Sequence, residues 1–467
     1  MRIPLAANFY QHPDRQFSSQ RLVNQYLEVG DAQERTTTLI RGTPGATLFS
    51  NTSGKLRGLR ESTDGETLYA IVGTSFYTID ADGVASAIGT VEGDDYVDII
   101  INLTQVMIAA GLVSYIYTPL SGTFVQIADS DFPGASCGIY MDGYAIIAKP
   151  DSTQSNVSSA DDFSTWDALD FTNETTSPDN ILMIRDDRKE FWVFKKKTIV
   201  PYSRTGSGNY PFQRVSSTIL EMGCIAPRTV AVADNTYFWV GYREAEGGIG
   251  VWRASGYQPS RISTHAIENR IESFGDITAA IAFTYLLNGH LFYVLNFPSK
   301  GTFVFDVATS LWHEWIQFGE EWSTFTHHAF FNNRHIVGGP DGVLYSLSNA
   351  VYTSKGDVIQ RRMITPVYDS DGKQIKASYV EIEVEAGVGL NTGQGSDPKM
   401  MLRWSKNGGL TYSNEYWRSV GRVGEYGARC MWRNLGRSRE WVLETVYSEP
   451  TQYALLKAYA DVTVGAP

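Results

Sequence analysis

Trp404 to Ser413 reads WSKNGGLTYS, in which Ser405, Asn407, Gly409, Thr411 and Tyr412 keep the spacing of an Asp box. Residues of these types in this order build a hairpin turn: the Asx side chain and glycine shape it, and the serine, threonine and aromatic pack it. The chemistry such a turn would accompany is glycoside cleavage. That reaction needs two convergent carboxylates, or a tyrosine–glutamate pair with arginines for an acidic sugar. No spacing in the sequence assembles such a set, and the motif occurs once rather than at a repeating period. The five residues are expected to do structural work only.

Other chemistry-bearing clusters reduce in the same way. DADG at 80–83 and DSDG at 369–372 open like calcium loops, but the twelfth position, where a bidentate acid is required, is Val91 in one and Val380 in the other. Both are expected to be Asp-Gly hairpin turns. His327 and His328 are adjacent, with His313 and His335 near them. Neighbours on a strand point to opposite faces, so packing is expected rather than metal ligation. Lys195, Lys196 and Lys197 fall between two apolar runs and read as a solvated hairpin tip. No Gly-x-Gly-x-x-Gly before a helix, Walker loop, His-Glu-x-x-His or Gly-x-Ser-x-Gly is present. These patterns point away from an enzyme, and no cofactor or metal site is expected.

The elements that carry these residues must be strands. The 26 Tyr, 22 Phe, 11 Trp and 43 Gly favour pleated sheet joined by tight turns. Strand–turn–strand units recur as LYAIVGTSFYTID near 70, QVMIAAGLVSYIYTP near 106, GYAIIAKP near 144 and EFWVFKKKTIVPYS near 192. They return as TYFWVGYREAEGGIGVWRA near 237, HLFYVLNFPSKGTFVFDVAT near 291 and RHIVGGPDGVLYSLS near 336. Intervals of roughly 35 to 55 residues are those of propeller blades. A lone blade cannot bury both of its faces, whereas blades set radially cover one another. The expected fold is all-β: an N-terminal arm and first strands over 1–55, an irregular six- or seven-bladed β-propeller over 56–350, and a C-terminal β-sandwich over 351–467. One short helix is expected within 263–275, with Ile267, Ile271 and Phe274 on one face.

Charge is unevenly distributed. The chain is net −12, yet residues 401–440 are net +5, which leaves −17 for the remainder. Arginine interleaved with tryptophan suits a protein interface, because planar guanidinium stacks on indole and pairs with carboxylates. The candidate subunit interface is Arg418, Arg422, Arg429, Arg433 and Arg437 with Trp417 and Trp432. Nucleic-acid contact is the rival reading, since Arg and aromatics serve there too. The acidic overall balance argues against broad phosphate contact. Cys137, Cys224 and Cys430 are too few and too scattered for a disulfide framework or zinc set, as expected of reduced thiols in a cytoplasm. The N-terminus lacks the apolar core of a signal peptide, and no apolar run is long enough to span a membrane.

Several segments resemble a known family. QRLVNQYLEVG at 21–31 with IRGTPGATLFS at 40–50 resembles the opening signature of phage packaged-DNA stabilization proteins, the tail hub or nozzle proteins of short-tailed phages. SSADDFSTWDALDFTNETTSPDNILMI at 158–184 looks like the family's aspartate–tryptophan segment. FWVFKKKTIVPYSRTGSGNYPFQRVSSTILEMGCIAPRTVAVADNTYFWVG at 191–241 looks like its central core, and RISTHAIENRI at 261–271 is similar to the family's next segment. The Lys195–Lys197 turn departs from the pattern. The resemblance implies a structural virion protein, assembled in the host bacterial cytoplasm. Six copies would form a ring below the portal and its adaptor, continuing the DNA channel and helping to retain the packaged genome. Tailspikes or fibres and a tail needle or plug would be further partners, and double-stranded DNA would pass without sequence-specific binding. The alternative reading is a glycan-binding or sialidase-like β-propeller, for which repeated Asp boxes would be the mark.

Overall fold

In four turns that join a first strand to a second, two consecutive residues take positive φ: Asp142-Gly143, Asp234-Asn235, Asn288-Gly289 and Asn332-Asn333. Such a pair makes the type I′ turn, whose twist matches that of paired strands, and Gly, Asn and Asp tolerate it best. In the computed structural model, which describes residues 2–3, 5–15, 17–30, 38–206, 208–216, 218–243 and 248–465, seven sheets that open in this part of the chain follow one another. The 244–247 turn of the unit near 237 lies outside the described residues.

The axis-facing first strands of these sheets are Leu56–Glu61, Asp98–Ile101, Cys137–Met141, Ile181–Asp187, Ala231–Ala233, Ile281–Leu287 and His327–Phe331, and in the fifth sheet Gly223–Cys224 also pairs with Thr236–Arg243. These first strands stand around one axis, each touching the next and the last touching the first. The propeller therefore has seven blades. Its ring is closed by the chain's own beginning, since Gly45–Ser50 pairs with Leu344–Ser348 as the fourth strand of the seventh blade. Second strands are covered on both faces and read as unbroken apolar runs, as in Leu68–Val72. Outer strands such as Thr123–Gln126 are largely exposed. The core is consequently a ring of separate clusters between blades. Tyr69, Ile71 and Phe76 meet Val106 and Ile108 between the first two. Leu56 and Leu68 meet Phe331 and Ile336 where the seventh meets the first. Each large apolar side chain so buried contributes about 1.5–3 kcal/mol.

Along the axis the first strands enclose a cavity of about 430 Å³. Asp98 of the second blade reaches across it. Its carboxylate accepts from both terminal nitrogens of Arg185 at 2.8 and 3.1 Å, from Arg228 Nη1 at 2.6 Å and from the Gly138 N–H at 3.2 Å. Burial raises the Asp98 carboxyl, but Arg185 and Arg228 outweigh it and hold the group well below the usual carboxylate range. The expected helix is His265–Ser273, capped by Thr264, whose hydroxyl accepts from the Ile267 N–H. Ile267 and Ile271 are buried, and Phe274 packs on Phe297 and Phe303.

The C-terminal β-sandwich takes strands from the chain's beginning as well. One sheet runs Gln25–Val29, Thr38–Gly42, Ala454–Val464, Ile375–Val384, Cys430–Ser438, with Arg2–Ile3 also on Ala454–Val464. The other runs Ser19–Val23, Arg361–Ile364, Val442–Tyr447, Lys399–Ser405, Tyr416–Ser419. Val23 also bridges Glu314 in the outer strand of the sixth blade, so sandwich and propeller share a continuous sheet. Arg21 clamps the same Glu314 through Nε at 2.8 Å and Nη2 at 2.7 Å. The N-terminal arm is thus a set of short strands stitched into both parts.

Candidate functional site: a subunit interface

The Asp-box hairpin is closed by its own side chains. Ser405 Oγ donates to Asn407 Oδ1 at 2.8 Å and accepts from the Gly409 N–H at 2.9 Å. Asn407 Oδ1 accepts from the Thr411 N–H, and its amide donates to Thr411 Oγ1, both at 2.9 Å. Tyr412 lies under the Arg403 guanidinium, 4.8 Å from ring centroid to Cζ. Gly409 sits at φ +92°, and a Cβ there would come within 3.2 Å of Ser19. The polar atoms of the motif are therefore engaged with one another, on a turn whose Ser405 and Gly409 are buried against the N-terminal strand.

Beside this hairpin lie the free edges of both sandwich sheets. Among the described residues Tyr416–Ser419 is paired on one side, by Lys399–Ser405, and Cys430–Ser438 on one side, by Ile375–Val384. The two edges lean together: Trp432 Nε1 donates to the Tyr416 carbonyl at 2.7 Å, and Arg418 Nε to the Met431 carbonyl at 3.2 Å. Unpaired strand edges are normally blunted by charge or covered by another chain. Arg418, Arg422, Arg429, Arg433 and Arg437 are all on this side, and all five are exposed. Arg429 is matched by Glu381, with Nε to Oε1 at 2.7 Å. The Arg422 N–H donates to Glu425 Oε2 at 2.8 Å, and Asp397 is 4.0 Å from its Nε. Arg433 touches Met431 Sδ at 3.4 Å. Arg437 has no side-chain hydrogen bond or ion pair among the described residues. Trp417 is 45% exposed and Tyr426, which sequence reasoning passed over, is 79% exposed.

One expected member does not belong to this surface. Trp432 is 1% exposed and packs in the sandwich core with Trp404 and Leu435. Strand alternation sends Cys430 and Trp432 inward and Met431 and Arg433 outward, so the indole presents nothing to a partner.

The pairing of a closed propeller with a sandwich is also what comparison with known families finds. A family model described as the β-propeller of bacteriophage P22 Gp10 matches residues 1–352, and one described as its β-sandwich matches residues 360–463. The chain belongs to this family. Phage P22 Gp10 proteins are packaged-DNA stabilization proteins, structural components of the phage tail. No curated protein sequence matches the chain. Among solved structures, a chain in the crystal structure of a mitotic checkpoint complex is similar at 11% identity and a TM-score of 0.41, over 68% of this chain and 96% of that one. That likeness is too loose to bear on fold or function.

In this member of the P22 Gp10 family most of the other residues singled out by sequence make packing or turn contacts. Lys195 is a correction: it is fully buried, not a solvated tip, and its ammonium donates to the carbonyls of Glu174 at 3.0 Å and Ser177 at 2.6 Å. Lys196 and Lys197 lie at the surface of the turn. His328 Nε2 and His335 Nδ1 share a hydrogen bond of 3.0 Å between stacked rings, and His313 is buried against Tyr26 and Phe292. Asp80 Oδ1 accepts from the N–H groups of Asp82 and Val84, closing its turn, and Asp371-Gly372 is a positive-φ pair. Among the described residues no group of three or more His, Cys, Asp or Glu is placed to hold a metal, and no helix is long and apolar enough to cross a membrane. The junction ion pairs, Arg21 with Glu314 and Glu444 between Arg362 and Arg403 at 2.7 and 2.8 Å, had no signal in the sequence because each joins residues far apart along the chain.

Proposed function

We propose that this chain is a structural, non-catalytic subunit of a six-membered ring in the tail of a short-tailed phage, seated below the portal and its adaptor. The ring continues the DNA channel and helps to hold the packaged genome. It is assembled in the host bacterial cytoplasm and offers attachment to tailspikes or fibres and to a tail needle or plug. The working units are the arm over 1–55, the propeller over 56–350 and the sandwich over 351–467. A cavity of about 430 Å³ crossed by Asp98 does not admit a duplex, so in this reading the DNA path is the lumen between subunits, with no sequence-specific contact.

Family membership supports the tail setting. The observation that carries the ring reading is the pair of free strand edges bearing under-matched arginines on an otherwise acidic chain. Arg433 and Arg437 have the fewest partners of their own, so they are the ones most free to pair with a neighbour. Purified chain, alone and with its adaptor, is expected to give six-fold rings in negative-stain electron microscopy. Arg433→Glu with Arg437→Glu is expected to leave monomers with an unchanged circular dichroism spectrum. Intact rings in that variant would remove this edge from the interface.

A further inference from the structure

Arg361 opens the strand Arg361–Ile364 at the junction of arm, propeller and sandwich, and it is 2% exposed. No carboxylate among the described residues lies within ion-pair reach of it, and its hydrogen bonding reduces to Nη1 donating to the Glu449 carbonyl at 3.3 Å. Its Nε has no hydrogen-bond partner among the described residues. A buried guanidinium without a counter-ion is strongly disfavoured unless something satisfies its donors. The surroundings are nevertheless built to receive it. Gly42 lies beneath, where a Cβ would clash with Nε, and the Tyr453 ring stands with its centroid 5.6 Å from Cζ.

Arg361 also lines a cavity of about 320 Å³, together with Arg41, Asn288, Gln452 and Tyr453. Arg41 brings a second guanidinium to the rim, half-exposed and paired with Glu28. The cavity is thus of mixed polarity, bears two arginines, and is bounded by segments from the arm, the propeller and the sandwich. Guanidinium donors meet carboxylate and phosphate oxygens with the right planar geometry. We propose that this junction cavity binds a small oxyanion of the phosphate or carboxylate class, held by Arg361 from within and Arg41 from the rim. An anion there binds arm, propeller blade and sandwich at once, so it fixes their mutual orientation and stabilises the folded chain by mass action.

The probe is inorganic phosphate, added to full-length chain over a millimolar range at constant ionic strength set with sodium chloride. The melting temperature is expected to rise saturably, and equilibrium dialysis to return one phosphate per chain. Arg361→Met keeps the volume and removes the charge, and is expected to weaken apparent affinity about tenfold or more. A flat melting temperature and no bound phosphate in the unaltered chain would overturn the proposal, leaving water as the guanidinium's solvent. So would an equal rise in Arg361→Met. If that variant does not fold, Arg41→Gln at the exposed rim decides: weakened dialysis binding supports the site, and unchanged binding overturns it.

Discussion

Asp98 is the residue on which the propeller's centre depends. It belongs to the second blade, yet it accepts from Arg185 of the fourth, from Arg228 of the fifth and from Gly138 of the third. Asp98→Asn keeps the shape and removes the charge, leaving two guanidiniums uncompensated, and breaking a buried pair in this way costs about 3–5 kcal/mol. Differential scanning calorimetry at neutral pH is expected to show that loss as a lower melting temperature. The sign with pH follows from the lowered carboxyl. Its contribution is complete above the unfolded value of about 4 and fades as pH falls through the folded one. Unaltered chain should therefore destabilise more steeply than Asp98→Asn below about pH 4, and parallel acid limbs would refute the assignment. His313 adds a second window: burial pushes it down to about 4, so the folded chain keeps the imidazole neutral against Tyr26 while the unfolded chain protonates it, and stability is lost as pH falls from about 6.5 towards that value. Little of this was legible in sequence. Asp98, Arg185 and Arg228 are scattered in the chain and become neighbours only when seven first strands converge.

At the scale of elements, local chemistry was legible and long-range pairing was not. Asp-Gly and Asn-Gly dipeptides announce their turns because few residues accept positive φ, and apolar runs such as Leu68–Val72 announce strands covered on both faces. The Asp-box turn was readable for the same reason, since its bonds join residues within a few positions of one another. Ser405→Ala should orphan the Gly409 N–H in a site where Ser405 is 1% exposed, costing about 1–3 kcal/mol by thermal unfolding. Ring assembly should be unaffected; a variant that melts normally but fails to assemble would make the hairpin part of an interface. The arm was harder to place. Its strands run from two to six residues, too short for a periodic signal, and several of them find partners hundreds of positions away. Lys195 and Trp432 were misjudged because burial depends on which neighbour covers a strand, and that neighbour is distant in sequence.

For the whole molecule the question is what the basic edge meets. A ring built by rotation needs two different faces on each subunit that complement one another. The turns at one end of the first and third blades supply an acidic candidate: Asp64, Glu66, Asp80, Asp82, Asp142 and Asp161 are all exposed there. They lie in turns joining first to second or third to fourth strands, which topology puts at the same end of the propeller. If this end receives Arg433 and Arg437 of the next subunit, Asp80→Lys with Asp82→Lys should dissolve rings as Arg433→Glu with Arg437→Glu does. Combining the four substitutions should restore them in part, because each repulsive pair becomes attractive again. Rising salt should weaken the unaltered ring in the same measurement, since exposed charges are screened over about 8 Å at physiological ionic strength. Intact rings in the aspartate variant would instead direct this end to the lumen. There an acidic wall repels phosphate and lets DNA slide, and the same substitutions should slow DNA exit from assembled particles.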